Sequence, residues 1–265
     1  MALKRNLIAN YVGQGWAAVM GVLFIPVYIH QLGIGAWGLV AFVSTLQAWL
    51  LLLDLGLTPT ISREMARYTG GQHTPASILG LLRAFETVYL GIALLVCIGV
   101  AVAAGWIAEW WLGDDGLPKA HVLAALQISG VLLAGRLLEQ SYRGALRGLQ
   151  RQVWLNVVDG ALATLRWGGA ALLVSFLPKV EAFFAWHAGI SILSVAVLYR
   201  KTHRLLAISG KQKPHADFRL LWSIRHISGG MAMITLLALL LTQVDKLLLS
   251  KLLTLDMDRQ RSHRS

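Results

Sequence analysis

Thr87-Val-Tyr-Leu-Gly-Ile-Ala-Leu-Leu-Val-Cys97-Ile-Gly-Val-Ala-Val-Ala-Ala-Gly-Trp-Ile107 contains no charged side chain, and its reading decides the fold class. It is bounded by Glu86 on one side and Glu109, past Ala108, on the other. An α-helix needs roughly 20 consecutive apolar residues to cross the hydrocarbon of a bilayer. A half-buried strand would alternate with polar positions instead.

Similar runs lie on both sides, at residues 7–29, 36–53, 122–138, 154–177, 182–199 and 227–249. They predict an all-α, polytopic transmembrane bundle of about seven spans. The chain is 56% hydrophobic and only 14% charged, where a soluble domain carries about a quarter charged residues. The first run is too long for the apolar region of a signal peptide and is followed by no small-residue cleavage site, so it reads as a retained helix.

Charge placement sets the orientation. With the N-terminus in the cytoplasm, the inner side collects Lys4, Arg5, Arg63, Arg67, Arg83, Arg136, Arg143, Arg147, Arg151, Arg200, Lys201, Arg204, Lys211, Lys213, Arg219 and Arg225. The outer side before the seventh run receives only Lys119 and Lys179, beside the acidic Glu109, Asp114 and Asp115. Cytoplasmic loops of membrane proteins gather Lys and Arg in this way. The net charge of +11 is therefore read as topology and as attraction to anionic membrane lipids, with no nucleic-acid partner. Trp37, Trp106, Trp110 and Trp111 fall at predicted outer interfaces and Trp154 and Trp222 at inner ones, where an amphipathic indole is favoured. Trp16 and Trp167 fall deeper, as packing residues.

These features divide the chain into a six-helix lobe at 1–199, a basic cytoplasmic linker at 200–226, a seventh helix at 227–250 and a polar tail at 251–265. The linker contains Ser209-Gly210-Lys-Gln-Lys-Pro214, a flexible composition.

Ionisable groups within spans are costly and mark candidate sites. Arg166 lies mid-way along the fifth run, with Asp159 seven residues earlier on nearly the same helical face. The pair is either a neutralised charge that ties helices together or part of an anion site, since a planar, permanently charged guanidinium suits phosphate. Arg136, near the inner end of the fourth run, either snorkels to the cytoplasm or lines the mouth of a cavity. Asn6, Asn10 and Gln14 recur every four residues, ahead of Ala17 and Gly21 on a similar face. That stripe either packs against another helix or lines a polar path. Pro26 either bends the first helix or marks its end. Gln243, Asp245 and Lys246 stand near the outer end of the seventh run, and Asp245 is a second acidic candidate for charge pairing or coupling.

Enzymatic signatures are missing. The sequence has no phosphate-binding P-loop, no G-x-S-x-G elbow and no H-E-x-x-H zinc motif. Cys97 is the single cysteine, which excludes a disulfide or CxxC zinc site within the chain. His30, His121 and His187 sit near outer ends without metal-ligand spacing. No enzyme activity, cofactor or metal is expected.

The substrate does not follow from these patterns, but a resemblance suggests one. Arg5-Asn-Leu-Ile-Ala-Asn10, Phe24-Ile-Pro26-Val-Tyr28-Ile-His-Gln-Leu32-Gly33 and Trp37-Gly38-Leu39 resemble the opening of O-antigen and polysaccharide flippases. Those proteins belong to the multidrug/oligosaccharidyl-lipid/polysaccharide exporter superfamily. Leu53-Asp54-Leu-Gly56-Leu57 with Ile61-Ser-Arg63-Glu-Met-Ala66, and later Gln243-Val-Asp245-Lys-Leu-Leu-Leu-Ser250-Lys, are similar to further segments of that family in the same order. The resemblance implies two six-helix lobes around a central cavity in the bacterial inner membrane. It also implies a polyprenyl-diphosphate-linked oligosaccharide as substrate, flipped by alternating access, with polysaccharide polymerase or assembly proteins as partners. Arg166 is then the leading candidate for the diphosphate on physical grounds, with Arg136, Asn10 and Gln14 as further substrate-binding candidates.

The sequence departs from the family at its end. Leu255-Asp-Met-Asp-Arg-Gln-Arg-Ser-His-Arg-Ser265 turns polar and basic where an eighth helix is expected, which suggests truncation or a frameshift near Asp256. Three other readings stand beside the flippase. A drug or cation exporter of the same superfamily would favour acidic cavity residues. A membrane enzyme on lipid intermediates would need clustered His, Asp or Glu at one interface. The third is an inactive membrane fragment.

Overall fold

A computed structural model describes residues 2–54, 56–111, 118–207 and 215–223, with isolated helical residues at 229, 230, 233 and 237. Apart from those isolated residues, the predicted seventh helix, Asp245 and the polar tail lie outside the described residues, as does the Ser209–Pro214 stretch of the linker.

The described residues form helices α1 (Ala2–Leu23), α2 (Ile25–Leu32), α3 (Ile34–Leu53), α4 (Leu57–Thr69), α5 (Pro75–Trp111), α6 (Lys119–Gly148), α7 (Gln152–Phe176), α8 (Val180–Leu205) and α9 (Phe218–Ser223), with no strand among them. Among the described residues, five helical segments are long and apolar enough to cross a membrane: Asn10–Leu32, Pro75–Glu109, Lys119–Gly148, Gln152–Phe176 and Val180–Leu205. The α3 stretch Ile34–Leu50 is apolar but shorter. The first span is interrupted at Phe24, where Pro26 enters the first turn of α2 and cannot supply a backbone N–H. Pro26 thus breaks the span without ending it.

The outer surface supports a membrane setting. Leu90, Leu94, Leu95, Ile98, Val102 and Trp106 form a stripe along α5, each at least half exposed. A contiguous exposed patch of that kind is a liability in water and is the natural face toward lipid. At one end of the bundle, α4 packs on the C-terminal part of α6 and α9 packs on the start of α5. That end gathers Arg63, Arg67, Arg147, Arg151 and Arg204. At the other end, Lys119 pairs with Glu109 and His121 with Glu181.

Helices α5 and α6 run further than their apolar cores. Thr74 starts α5, its Oγ1 accepting from the Ser77 N–H at 3.2 Å, and Pro75 follows at a position where a missing N–H costs little. At 1.5 Å per residue α5 is about 55 Å long, well beyond a hydrocarbon core of about 30 Å. Its added turns carry Glu86, which accepts from Tyr142 of α6 (2.9 Å) and bonds His203 of α8 (2.7 Å). The segment after Asp54, whose Arg63 and Arg67 are placed on the inner side by the charge pattern, forms the amphipathic helix α4. Its Ile61 and Met65 are fully buried, together with Glu64, which bonds His73 (2.8 Å) and Arg67 (3.1 Å).

Helix α6 is the central post, packing on α5, α8 and α4. Close approach depends on its glycines. A Cβ at Gly148 would lie 2.1 Å from the Ser62 carbonyl oxygen and 2.6 Å from Met65 Cβ. The carbonyl belongs to α4's backbone and cannot rotate away. Gly148→Ala is therefore expected to lower stability by about 1–3 kcal/mol through overpacking, despite alanine's helix preference of about 1 kcal/mol. Gly91→Ala, where nothing lies within 4 Å, should be neutral or stabilising. Unfolding midpoints in one detergent check both, and equal behaviour of the two variants would refute the packing argument.

Candidate functional site

The site is built on one face of α6. Glu139 and Gln140 stand three and four residues after Arg136, and Arg143 stands four and three residues after them, which places all four on one side of the helix. Glu139 is 1% exposed. Its Oε2 accepts from Arg143 Nη2 at 3.2 Å and from Arg136 Nη1 at 3.4 Å. Its Oε1 accepts from Arg166 Nη2 of α7 at 3.3 Å and from Ser191 Oγ of α8 at 2.9 Å. Gly135 makes the last contact feasible, since a Cβ there would lie 2.6 Å from Ser191 Oγ. A single carboxylate thus ties three transmembrane helices together.

Charge in this cluster is unbalanced. Arg136, Arg143 and Arg166 face two carboxylates, Glu139 and Asp159, and Asp159 is ion-paired with Arg143. The three guanidinium contacts to Glu139 are longer than the 2.7–2.9 Å usual for charge-assisted bonds. Among the described residues, the buried Nε atoms of Arg136 and Arg166 have no hydrogen-bond partner. A surplus guanidinium inside a bilayer-spanning bundle calls for a further anion or for water.

Arg136 opens onto a cavity of about 490 Å³ between α3, α6, α7 and α8. Ser44 and Gln47 of α3 and Asp54 just past its end line one wall, Arg136 and Gln140 line the α6 wall, and Trp167 of α7 and Phe183, Phe184 and His187 of α8 line the others. Asp54 is tied down on the far side, accepting from Tyr89 OH at 2.5 Å and from Thr58 Oγ1 at 2.6 Å. His187 is 5% exposed, and its Nδ1 donates to the Phe183 carbonyl at 3.0 Å. Tyr28 braces the outer wall. It is fully buried, stacked on Trp37 at 5.8 Å and bonded to the Trp167 carbonyl.

Several expectations need correcting. Asp159 does not pair with Arg166: it pairs with Arg143, and Arg166 pairs with Glu139. Arg166 does not line the cavity, its side chain being 7% exposed behind Glu139. Arg136 does not snorkel from a helix end, because α6 continues for three more turns to Gly148. Asn10 and Gln14 bond each other at 3.1 Å on the exposed face of α1, away from the cavity. The lower part of their stripe does pack, with Gly21 against Trp167. Trp167 packs as expected, whereas Trp16 is 46% exposed and donates to Thr164 Oγ1 at 2.9 Å.

Glu139, Gln140 and Gln47 were not singled out from sequence. The apolar run in which α6 was recognised stops at Leu138, one residue short of Glu139. The helical rhythm continues past it through Tyr142, Ala145 and Leu146, and following that rhythm locates both Glu139 and Gln140.

Fold and site together define an all-helical bundle that fits a multi-pass membrane protein, with a cationic cluster opening on an internal cavity. No known protein family, curated protein or solved structure matches the chain.

Proposed function

We propose that this chain is a transport protein of the flippase type, acting on a polyprenyl-diphosphate-linked oligosaccharide in a bacterial inner membrane. One observation carries the reading: buried guanidiniums outnumber their carboxylates, and one of them, Arg136, lines a cavity within the bundle. A diphosphate headgroup supplies the missing negative charge, and a guanidinium binds it with two parallel donors. The resemblance of the Arg5–Asn10, Phe24–Gly33 and Leu53–Ala66 segments to polysaccharide flippases supports the same reading. A cation or drug exporter is less favoured, because the carboxylate on the cavity wall, Asp54, is already held by Tyr89 and Thr58, whereas Arg136 Nε has no partner. The reading involves no covalent step and no cofactor, and its partners are the lipid-linked glycan and the surrounding lipids.

The test is reconstitution of the full chain in liposomes carrying a short-chain polyprenyl-diphosphate glycan. The glycan should become accessible to an externally added lectin faster than in protein-free liposomes. Equal rates sink the flippase reading.

A further inference from the structure

Gln47 of α3 and Gln140 of α6 line the same cavity as Arg136. Among the described residues, neither side-chain amide makes a hydrogen bond, and both are only partly exposed. Their neighbours differ in this respect. Ser44 donates to the Val40 carbonyl at 2.8 Å, and Asp54 is occupied by Tyr89 and Thr58. Two unpaired amides facing a half-open cavity within a membrane bundle favour a ligand that completes their bonds.

A carboxamide offers donors and an acceptor together, which is the complement of a hydroxyl group, whereas a guanidinium only donates. Trp167, Phe183 and Phe184 add an apolar aromatic wall. Building on the reading of Arg136 as an anion site, we infer that Gln47 and Gln140 are specificity-determining residues that read hydroxyl groups next to the anion. The cavity therefore selects a phosphorylated sugar over a bare phosphate. Its volume of about 490 Å³ lies toward the small end of ligand sites, which span about 300–1,000 Å³. The part read is the sugar nearest the phosphate, and the rest of a longer glycan extends outside.

The experiment is calorimetric titration of the full chain in detergent micelles with inorganic phosphate and with a hexose 1-phosphate. The sugar phosphate should bind about tenfold more tightly than inorganic phosphate, as expected for one or two added hydrogen bonds. Gln47→Leu and Gln140→Leu should each remove most of that advantage while leaving phosphate affinity within about twofold of wild type. Retained unfolding midpoints establish that both variants fold. Equal binding of the two ligands by wild type overturns the inference, as does equal weakening of both ligands in the glutamine variants. If neither ligand binds, the anion-site reading itself falls. A prenyl diphosphate-linked hexose in a third arm identifies the source: tighter binding than the hexose 1-phosphate assigns the lipid-linked form, and equal binding the free sugar phosphate. Either result supports the hydroxyl reading.

Discussion

Glu139→Leu should be the most destabilising single substitution in the described part of the bundle, costing about 3–5 kcal/mol. Glu139 alone receives bonds from Arg136, Arg143, Arg166 and Ser191. Its removal leaves Arg166 buried with no carboxylate in direct contact, while Arg143 keeps Asp159. An uncompensated buried charge is far more costly than an absent ion pair. A second change therefore tests the mechanism: Glu139→Leu combined with Arg166→Met should recover much of the loss, since apolar replacement of a whole buried pair is often neutral or stabilising. Denaturant titration in mixed micelles, run as a double-mutant cycle, measures the coupling. Additive losses would show that Glu139 acts by packing and that the ion pair is incidental.

The way α6 was misjudged shows what hydropathy reports. An apolar run measures the stretch exposed to lipid or core and says little about where a helix stops. The backbone of α6 continues to Gly148 because nothing beyond Leu138 breaks a helix, and α4 then packs against the extension. The polar residues on that extension are covered by neighbouring helices, so Glu139, one residue past the apolar run, lies buried at the centre of the cluster. The same error hid Glu86, which lies just before the run that defined α5 and bonds Tyr142 and His203.

Sequence spacing correctly placed Asp159 and Arg166 near one face of α7, but it could not say which residues of α6 would stand opposite. Packing gives Arg143 to Asp159 and Glu139 to Arg166. The Asn10–Gln14 repeat is a different case: at a spacing of four the two side chains meet on the exposed face of α1, Gln14 donating to Asn10, and they do not line the cavity beside Arg136. The all-helical class, the apolar runs up to α8 and the placing of Arg136 and Arg166 inside spans were legible. They depend on hydropathy and on the cost of charge in a membrane, both local properties of the chain.

Arg136→Gln should separate stability from function. The substitution leaves two guanidiniums facing two carboxylates, so the cluster becomes balanced. The contact it removes, at 3.4 Å, is the longest made to Glu139. Unfolding stability should therefore stay within about 1 kcal/mol of wild type, the scale of one net hydrogen bond. Phosphate binding should weaken by about 2–5 kcal/mol, the range for truncating one partner of a buried charge pair, which is at least thirtyfold or so in Kd. Arg136→Lys keeps the charge but loses the planar fork, so its affinity should fall between the two. The comparison with Arg166→Gln is decisive. That residue is sealed behind Glu139 and absent from the cavity wall, so its loss should lower stability more and binding less. Calorimetry with inorganic phosphate and unfolding in the same detergent give both numbers for each variant. If Arg166→Gln abolishes binding while Arg136→Gln does not, the anion lies in the interior of the cluster and the cavity is not its site.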